Sequence, residues 1–153
     1  MASLQLKGPP PLVVFAAAAL MAALVSAFPG PAIELPLRRV LALVLAVLGM
    51  ACVAAGISQF RRHQTTLAPR KPQRASSVVD PGIYRFTRNP MYLGFLVVLA
   101  GWAVFLGHLL PFIVLPLYML YLGKFQIDPE EHFLAAKFGD RYETYRRRVR
   151  RWF

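Results

Sequence analysis

Gly82-Ile83-Tyr84-Arg85-Phe86-Thr87-Arg88-Asn89-Pro90-Met91-Tyr92-Leu93-Gly94 is the stretch where a basic, proline-rich loop turns into a long apolar run. Pro90 suits the first position of a helix, where the N–H it lacks has no intrahelical partner anyway, and Asn89 suits the cap before it. Arg85 and Arg88 fall just outside that helix. The open N–H groups of the first turn and the two guanidinium groups together predict a site for an anion or a zwitterion. Two apolar segments separate this stretch from Asp128-Pro129-Glu130-Glu131. A basic helix mouth matched by an acidic one points to a ligand carrying both signs of charge.

Outward from this stretch, composition places the chain in a membrane. Its apolar fraction is 57% over 153 residues, above the range of an ordinary soluble domain. The expected fold is an all-α membrane protein, a single domain with four transmembrane helices at about 12–28, 40–60, 91–106 and 109–126. A loop at 61–90 and a helical tail at 127–153 complete it. The last two spans are short, and Gly107-His108 between them reads as a tight turn. The first resembles a secretory leader in having Lys7 before it and Val25-Ser26-Ala27 after it, but its apolar run is long for one, and it is read as a retained span.

Of the 18 lysines and arginines, seven lie between Arg61 and Arg88 and eight between Lys124 and Arg151. The rule that cations stay inside puts both regions, and with them both termini, on the cytoplasmic side. Arg38 and Arg39 then face outward and snorkel. This topology accounts for most of the net charge of +11, so nucleic acid is not an expected partner. No GxGxxG or P-loop occurs, which removes a soluble dinucleotide domain. Cys52 is alone, and His63, His108 and His132 are far apart, so no metal site is expected. Residues Thr65–Ser77 form a polar, basic linker. The pattern carries no signal of oligomeric state.

In the tail, Asp128-Pro129-Glu130-Glu131 reads as a cap, a first-turn proline and a third-position glutamate, opening a helix that Gly139 ends near Phe138. Asp140-Arg141-Tyr142-Glu143 opens a second helix. Tyr142, Tyr145 and Val149 share one side of it, and five arginines surround them. It is expected on the membrane surface, with Trp152 and Phe153 in the interface.

Arg88-Asn89-Pro90-Met91-Tyr92-Leu93-Gly94, Gly101-Trp102, Glu130-Glu131 and Phe138-Gly139-Asp140-Arg141-Tyr142 with Tyr145 resemble, in this order, the isoprenylcysteine carboxyl methyltransferase and phospholipid methyltransferase superfamily. The resemblance covers roughly Asp80 to Trp152. It implies a small integral membrane enzyme that uses S-adenosylmethionine. The family's carboxyl methyltransferases often have histidine at the position of Asn89, and asparagine is closer to the phospholipid-methylating branch and to many bacterial relatives. A bacterial inner membrane is the implied location.

The implied cofactor residues are Arg85, Arg88, Asn89, Pro90, Tyr92, Leu93, Gly94, Glu130 and Glu131. Arg85, Arg88 and the helix start would hold the cofactor's carboxylate, and Glu130 or Glu131 its ammonium or ribose. Tyr92 would line the adenosine or the methyl path. Arg88 and Glu131 are the implied catalytic pair, one orienting the acceptor and the other taking a proton from an amine. Tyr142, Tyr145 and Arg146 are implied on the side of a lipophilic acceptor entering from the bilayer. Gly94 and Gly101, seven residues apart, share a helix face and serve either close packing or a ligand cleft. Two other readings of the same residues are a nicotinamide-dependent membrane reductase of the sterol type and a non-enzymatic assembly or lipid-binding protein.

Overall fold

The computed structural model describes residues 9–30, 33–62 and 82–153. The Thr65–Ser77 linker, and most of the loop expected at 61–90, lie outside the described residues. Helix α1 spans Pro10–Ala27 and α2 spans Arg38–Arg62. A 3-10 turn, Gly82–Arg85, leads to α3, Pro90–Leu106. Gly107, at φ 65°, turns the chain into α4, Pro111–Leu122. Helix α5 is Asp128–Phe138 and α6 is Asp140–Arg148. The described residues contain no strand, as an all-α reading requires.

Two of these helices, α1 and α2, are long and apolar enough to cross a membrane. Helix α3 is apolar but has 17 residues, and α4 has 12. Large apolar side chains stand open to the outside all along the bundle, among them Phe15 on α1, Val47 on α2 and Leu120 on α4. A surface of this kind is what lipid covers and water does not.

The core lies between α1, α3 and α4. Met21, Leu99, Val114, Tyr118 and Leu122 are buried there, with Trp102 packed against them. Trp102 Nε1 donates to the Ala18 carbonyl at 3.1 Å and ties α3 to α1. The tightest contact is between α2 and α3. A Cβ added to Gly94 would stand 2.6 Å from the Gly49 carbonyl oxygen, and one added to Gly49 would stand 2.6 Å from the Gly94 oxygen. A Cβ on Gly101 would stand 2.9 Å from the Ala42 oxygen. The Gly94–Gly101 face is therefore spent on backbone contact with α2, and Gly94 does not border the acidic residues. Beside Gly101, an apolar groove of about 320 Å³ opens between Ala46, Val98 and Phe105, with Arg39 among its lining.

Two caps expected from sequence are absent. Asn89 stands before α3, but its side chain makes no bond to the first turn. Asp128 is not a cap at all. A π-helical turn, Gly123–Ile127, carries α4 straight into α5, with Gly123, Ile127 and Asp128 all in right-handed helical conformation. Pro129 is tolerated there because a wide turn already loosens the backbone bonds it would break. Gly139, at φ 51°, does end α5. The apolar side of α6 is taken up by α5. Tyr142, Tyr145 and Val149 are buried against Leu134, Ala135 and Phe138 of α5 rather than turned to lipid. Trp152 packs on the main core, and Phe153 alone remains exposed.

Candidate active site

The mouth of α3 is built by the C-terminal tail. The Arg88 N–H donates to the Arg150 carbonyl at 3.0 Å. The Arg151 carbonyl accepts from Thr87 Oγ1 and from Asn89 Nδ2, each at 3.1 Å. Thr87 Oγ1 also accepts the Asn89 N–H at 3.2 Å. Asn89 thus fastens the tail instead of capping its helix. From behind, the Cys52 thiol of α2 donates to the Pro90 carbonyl at 3.1 Å, and Pro90 itself is fully buried.

Because α4 and α5 run on without a break, the acidic residues arrive opposite this mouth. Glu131 is buried, and both its oxygens are taken. Arg88 Nη2 lies 3.3 Å from Oε1. Arg151 grips the same carboxylate with two bonds, Nε to Oε1 at 3.2 Å and Nη2 to Oε2 at 2.6 Å. Arg151 Nη2 also reaches Asp128 Oδ1 at 2.9 Å. Burial alone would lower the Arg151 pKa, but its bonds to Glu131 and the charges of Glu131 and Asp128 outweigh that and leave it raised.

Arg88 is differently placed. Its side chain is 10% exposed. Its Nε and Nη1 are buried and have no hydrogen-bond partner among the described residues. Buried guanidinium donors without an acceptor are costly, which makes them a marked place for an anion. Tyr142 sits against this guanidinium. Burial, and then the charge of Glu131, push its hydroxyl up to about 12, while Arg88 opposes the shift.

Glu130, next along α5, turns about 100° away and has no cation on it among the described residues. Tyr92 of α3 donates its hydroxyl to Glu130 Oε1 at 2.9 Å. The Glu130 carboxyl is pushed up to about 7, chiefly by burial; the Tyr92 bond opposes the shift and the Glu131 charge adds to it. On α4, the Tyr118 hydroxyl is buried and without a hydrogen-bond partner among the described residues.

The sequence-derived residues thus divide into those the fold brings together and those it does not. Arg88, Asn89, Tyr92, Glu130, Glu131 and Tyr142 converge. Arg85 stands outside, exposed, with its guanidinium 4.6 Å over the Phe86 ring. Arg146 also stands outside, exposed and paired with Glu143 at 3.2 Å. Tyr145 spends its hydroxyl on the Tyr84 carbonyl at 2.8 Å. Leu93 is half-buried with its N–H in the helix ladder, and Pro90 and Gly94 face α2. Sequence reading missed Arg151, Thr87 and Tyr118. Arg151 has no distinguishing mark among five neighbouring arginines of the tail. Among the described residues, no group of three or more His, Cys, Asp and Glu is placed to hold a metal.

The phospholipid methyltransferase family matches residues 37–141, a span that includes Arg88, Tyr92, Glu130 and Glu131. The chain is 42% identical over 62 residues to an uncharacterized protein of Haemophilus influenzae, covering 40% of this chain and 98% of that one. It is 32% identical over 105 residues to protein-S-isoprenylcysteine O-methyltransferase of Schizosaccharomyces pombe, covering 67% of this chain and 43% of the relative. It is 43% identical over 72 residues to methanethiol S-methyltransferase 1 of Bradyrhizobium diazoefficiens, covering 45% and 23%. The chain therefore spans less than half the length of these two named enzymes. No solved structure matches it.

Proposed function

Because the chain belongs to the phospholipid methyltransferase family, we propose that it is an integral membrane methyltransferase that uses S-adenosylmethionine to methylate a lipophilic acceptor. S-adenosylmethionine supplies a methyl group already made electrophilic by its sulfonium, so the protein has to align the partners and exclude water. The observation that carries the reading is the pair of unlike positions at the mouth of α3 and on α5. Among the described residues, Arg88 holds two buried donors without an acceptor, and Glu130 holds a carboxyl with a tyrosine but no cation on it. A zwitterionic amino acid moiety needs one of each.

In this reading Arg88 receives the carboxylate and Glu130 the ammonium, with Tyr92 fixing the Glu130 oxygen. Tyr142, against Arg88, and Tyr118, near Tyr92, would line the path of the acceptor. Glu131 has both oxygens occupied by Arg88 and Arg151, so neither is open to the hydrogen of a protonated amine. The site therefore favours an acceptor that arrives deprotonated, such as a carboxylate, over a protonated amine. The names of the relatives cover acceptors as unlike as isoprenylcysteine and methanethiol, so the lipophilic acceptor rests on the family and on the apolar surroundings of the site.

The membrane arrangement proposed has four spans, α1, α2, α3 and α4 with its π-helical turn. At ~1.5 Å per residue, α3 is ~25 Å long, enough for a hairpin at a locally thinned bilayer. The start of α3 and the end of α4 lie at one end of that hairpin, beside the two cation-rich regions. This supports a site at the cytoplasmic face, in a bacterial inner membrane. The test is incubation of the purified chain with methyl-labelled S-adenosylmethionine and a total lipid extract. A labelled lipid product is expected. Saturable binding of a reduced nicotinamide cofactor, with none of S-adenosylmethionine, would overturn the proposal in favour of a reductase.

A further inference from the structure

Arg151 is the one arginine of the tail that turns inward to grip a buried carboxylate with two bonds, among the described residues. A carboxylate accepts the fork of one guanidinium at a time. Here Arg151 has the fork, and Arg88 has a single longer contact of 3.3 Å. The placement of Arg151 is built in. Asp128 holds its Nη2, while Thr87 and Asn89, the residues flanking Arg88, hold its carbonyl. Charges balance as well: Arg88 and Arg151 face Asp128 and Glu131.

We propose that Arg151 is a positioning residue: by taking the fork of Glu131 it stops that carboxylate from clamping Arg88, and so leaves the Nε and Nη1 of Arg88 open for the carboxylate of the cofactor. This rests on the reading of Arg88 given above. Without Arg151, Glu131 is a buried carboxylate with one guanidinium in reach. Pairing with it fork to fork is then the compensation nearest to hand among the described residues. The donors that mark the site would be consumed internally. The tail would thus be part of the cofactor site without touching the cofactor.

The test measures equilibrium binding of S-adenosylmethionine, and of its decarboxylated analogue, to the full chain in lipid nanodiscs, with thermal unfolding of each variant alongside. Arg151→Gln is expected to weaken S-adenosylmethionine by about 10- to 100-fold, the size of a charge-assisted bond. Binding of the decarboxylated analogue should stay within about threefold. Adding Glu131→Gln to that variant should restore S-adenosylmethionine to within about fivefold of the parent, because nothing then captures Arg88. A purely structural Arg151 would instead weaken both ligands alike, and the second substitution would not help. Should Arg151→Gln fail to fold, Arg151→Lys is measured in the same way. An ammonium cannot fork, so a smaller loss is expected, again reversed by Glu131→Gln. The inference is overturned if the folded variant binds S-adenosylmethionine like the parent, or if Glu131→Gln does not recover the loss. A parent chain that does not bind S-adenosylmethionine would instead overturn the methyltransferase reading, and this inference with it.

Discussion

Titration of Glu130 should set the acid limit of cofactor binding. Its carboxyl is pushed from 4.5 up to about 7, burial being the largest cause. At pH 6 only about a tenth of it is ionised, and each further pH step down removes about tenfold more of the form that can pair with an ammonium. Affinity for S-adenosylmethionine is therefore expected to rise about tenfold per pH unit up to about 7, and to fall again above about 8, where an α-amino group loses its own charge. The substitution that isolates the effect is Glu130→Gln, which should erase the acid limb, keep the alkaline one and weaken binding at pH 7.5 by about tenfold or more. The same shift has a signature without ligand. The folded state holds the Glu130 proton more tightly than the unfolded chain does. The Glu130 contribution to stability is therefore fully present below the ordinary value of 4.5 and is lost as pH rises to about 7. The decline is at most about 3 kcal/mol, and less because this half-buried group is partly screened. Isothermal titration from about pH 5 to 9 at constant ionic strength reads the binding profile. A parent with no acid limb, or a Glu130→Gln variant that keeps it, would refute the assignment.

Three further outcomes check the geometry. Gly94→Val should separate α2 from α3, because its side chain would run into the Gly49 carbonyl oxygen and into Val53; a loss of at least about 2 kcal/mol in reversible unfolding is expected, and near-parent stability would contradict that contact. Tyr118→Phe removes a buried hydroxyl with no partner among the described residues, so stability should hold or rise by up to about 1 kcal/mol, and a clear drop would mean the hydroxyl is satisfied. Arg146→Ala breaks only an exposed pair and should change stability by less than about 1 kcal/mol while leaving cofactor affinity intact; a large loss of affinity would return Arg146 to the site.

How much of this was legible beforehand follows from the range of each interaction. Pro90, Gly107 and Gly139 act through their own backbone, and the helix limits they set were readable one residue at a time. The meeting of Arg88 with the Glu130–Glu131 pair was readable as matching charge at two helix mouths. What was not readable depends on partners 20 to 62 positions away. Asn89 looks like a cap because caps are local, yet the Arg151 carbonyl claims its amide. The two glutamates look equivalent in sequence, and only the azimuth of a helix that Pro129 was expected to interrupt gives one of them two cations and the other a tyrosine. Arg88 stood out from Arg85 by its place beside Asn89-Pro90, but Arg146 was indistinguishable from Arg151 by type and by neighbourhood, and the two differ only in which way the backbone turns them. Gly94 and Gly101 announced a shared face, but Gly49 on the opposing helix decided its use.

The wide turn at Gly123–Ile127 fixes more than continuity. A π-helical turn behaves as one residue inserted into an α-helix, and each residue advances the helix by about 100°. Excising one residue from Gly123–Ile127 would therefore swing the whole acidic rim by that angle and bring Glu131 to the bearing now held by Glu130, toward Tyr92. The division of labour between two neighbouring, chemically identical side chains is thus a matter of phase, set several positions upstream by a single extra residue.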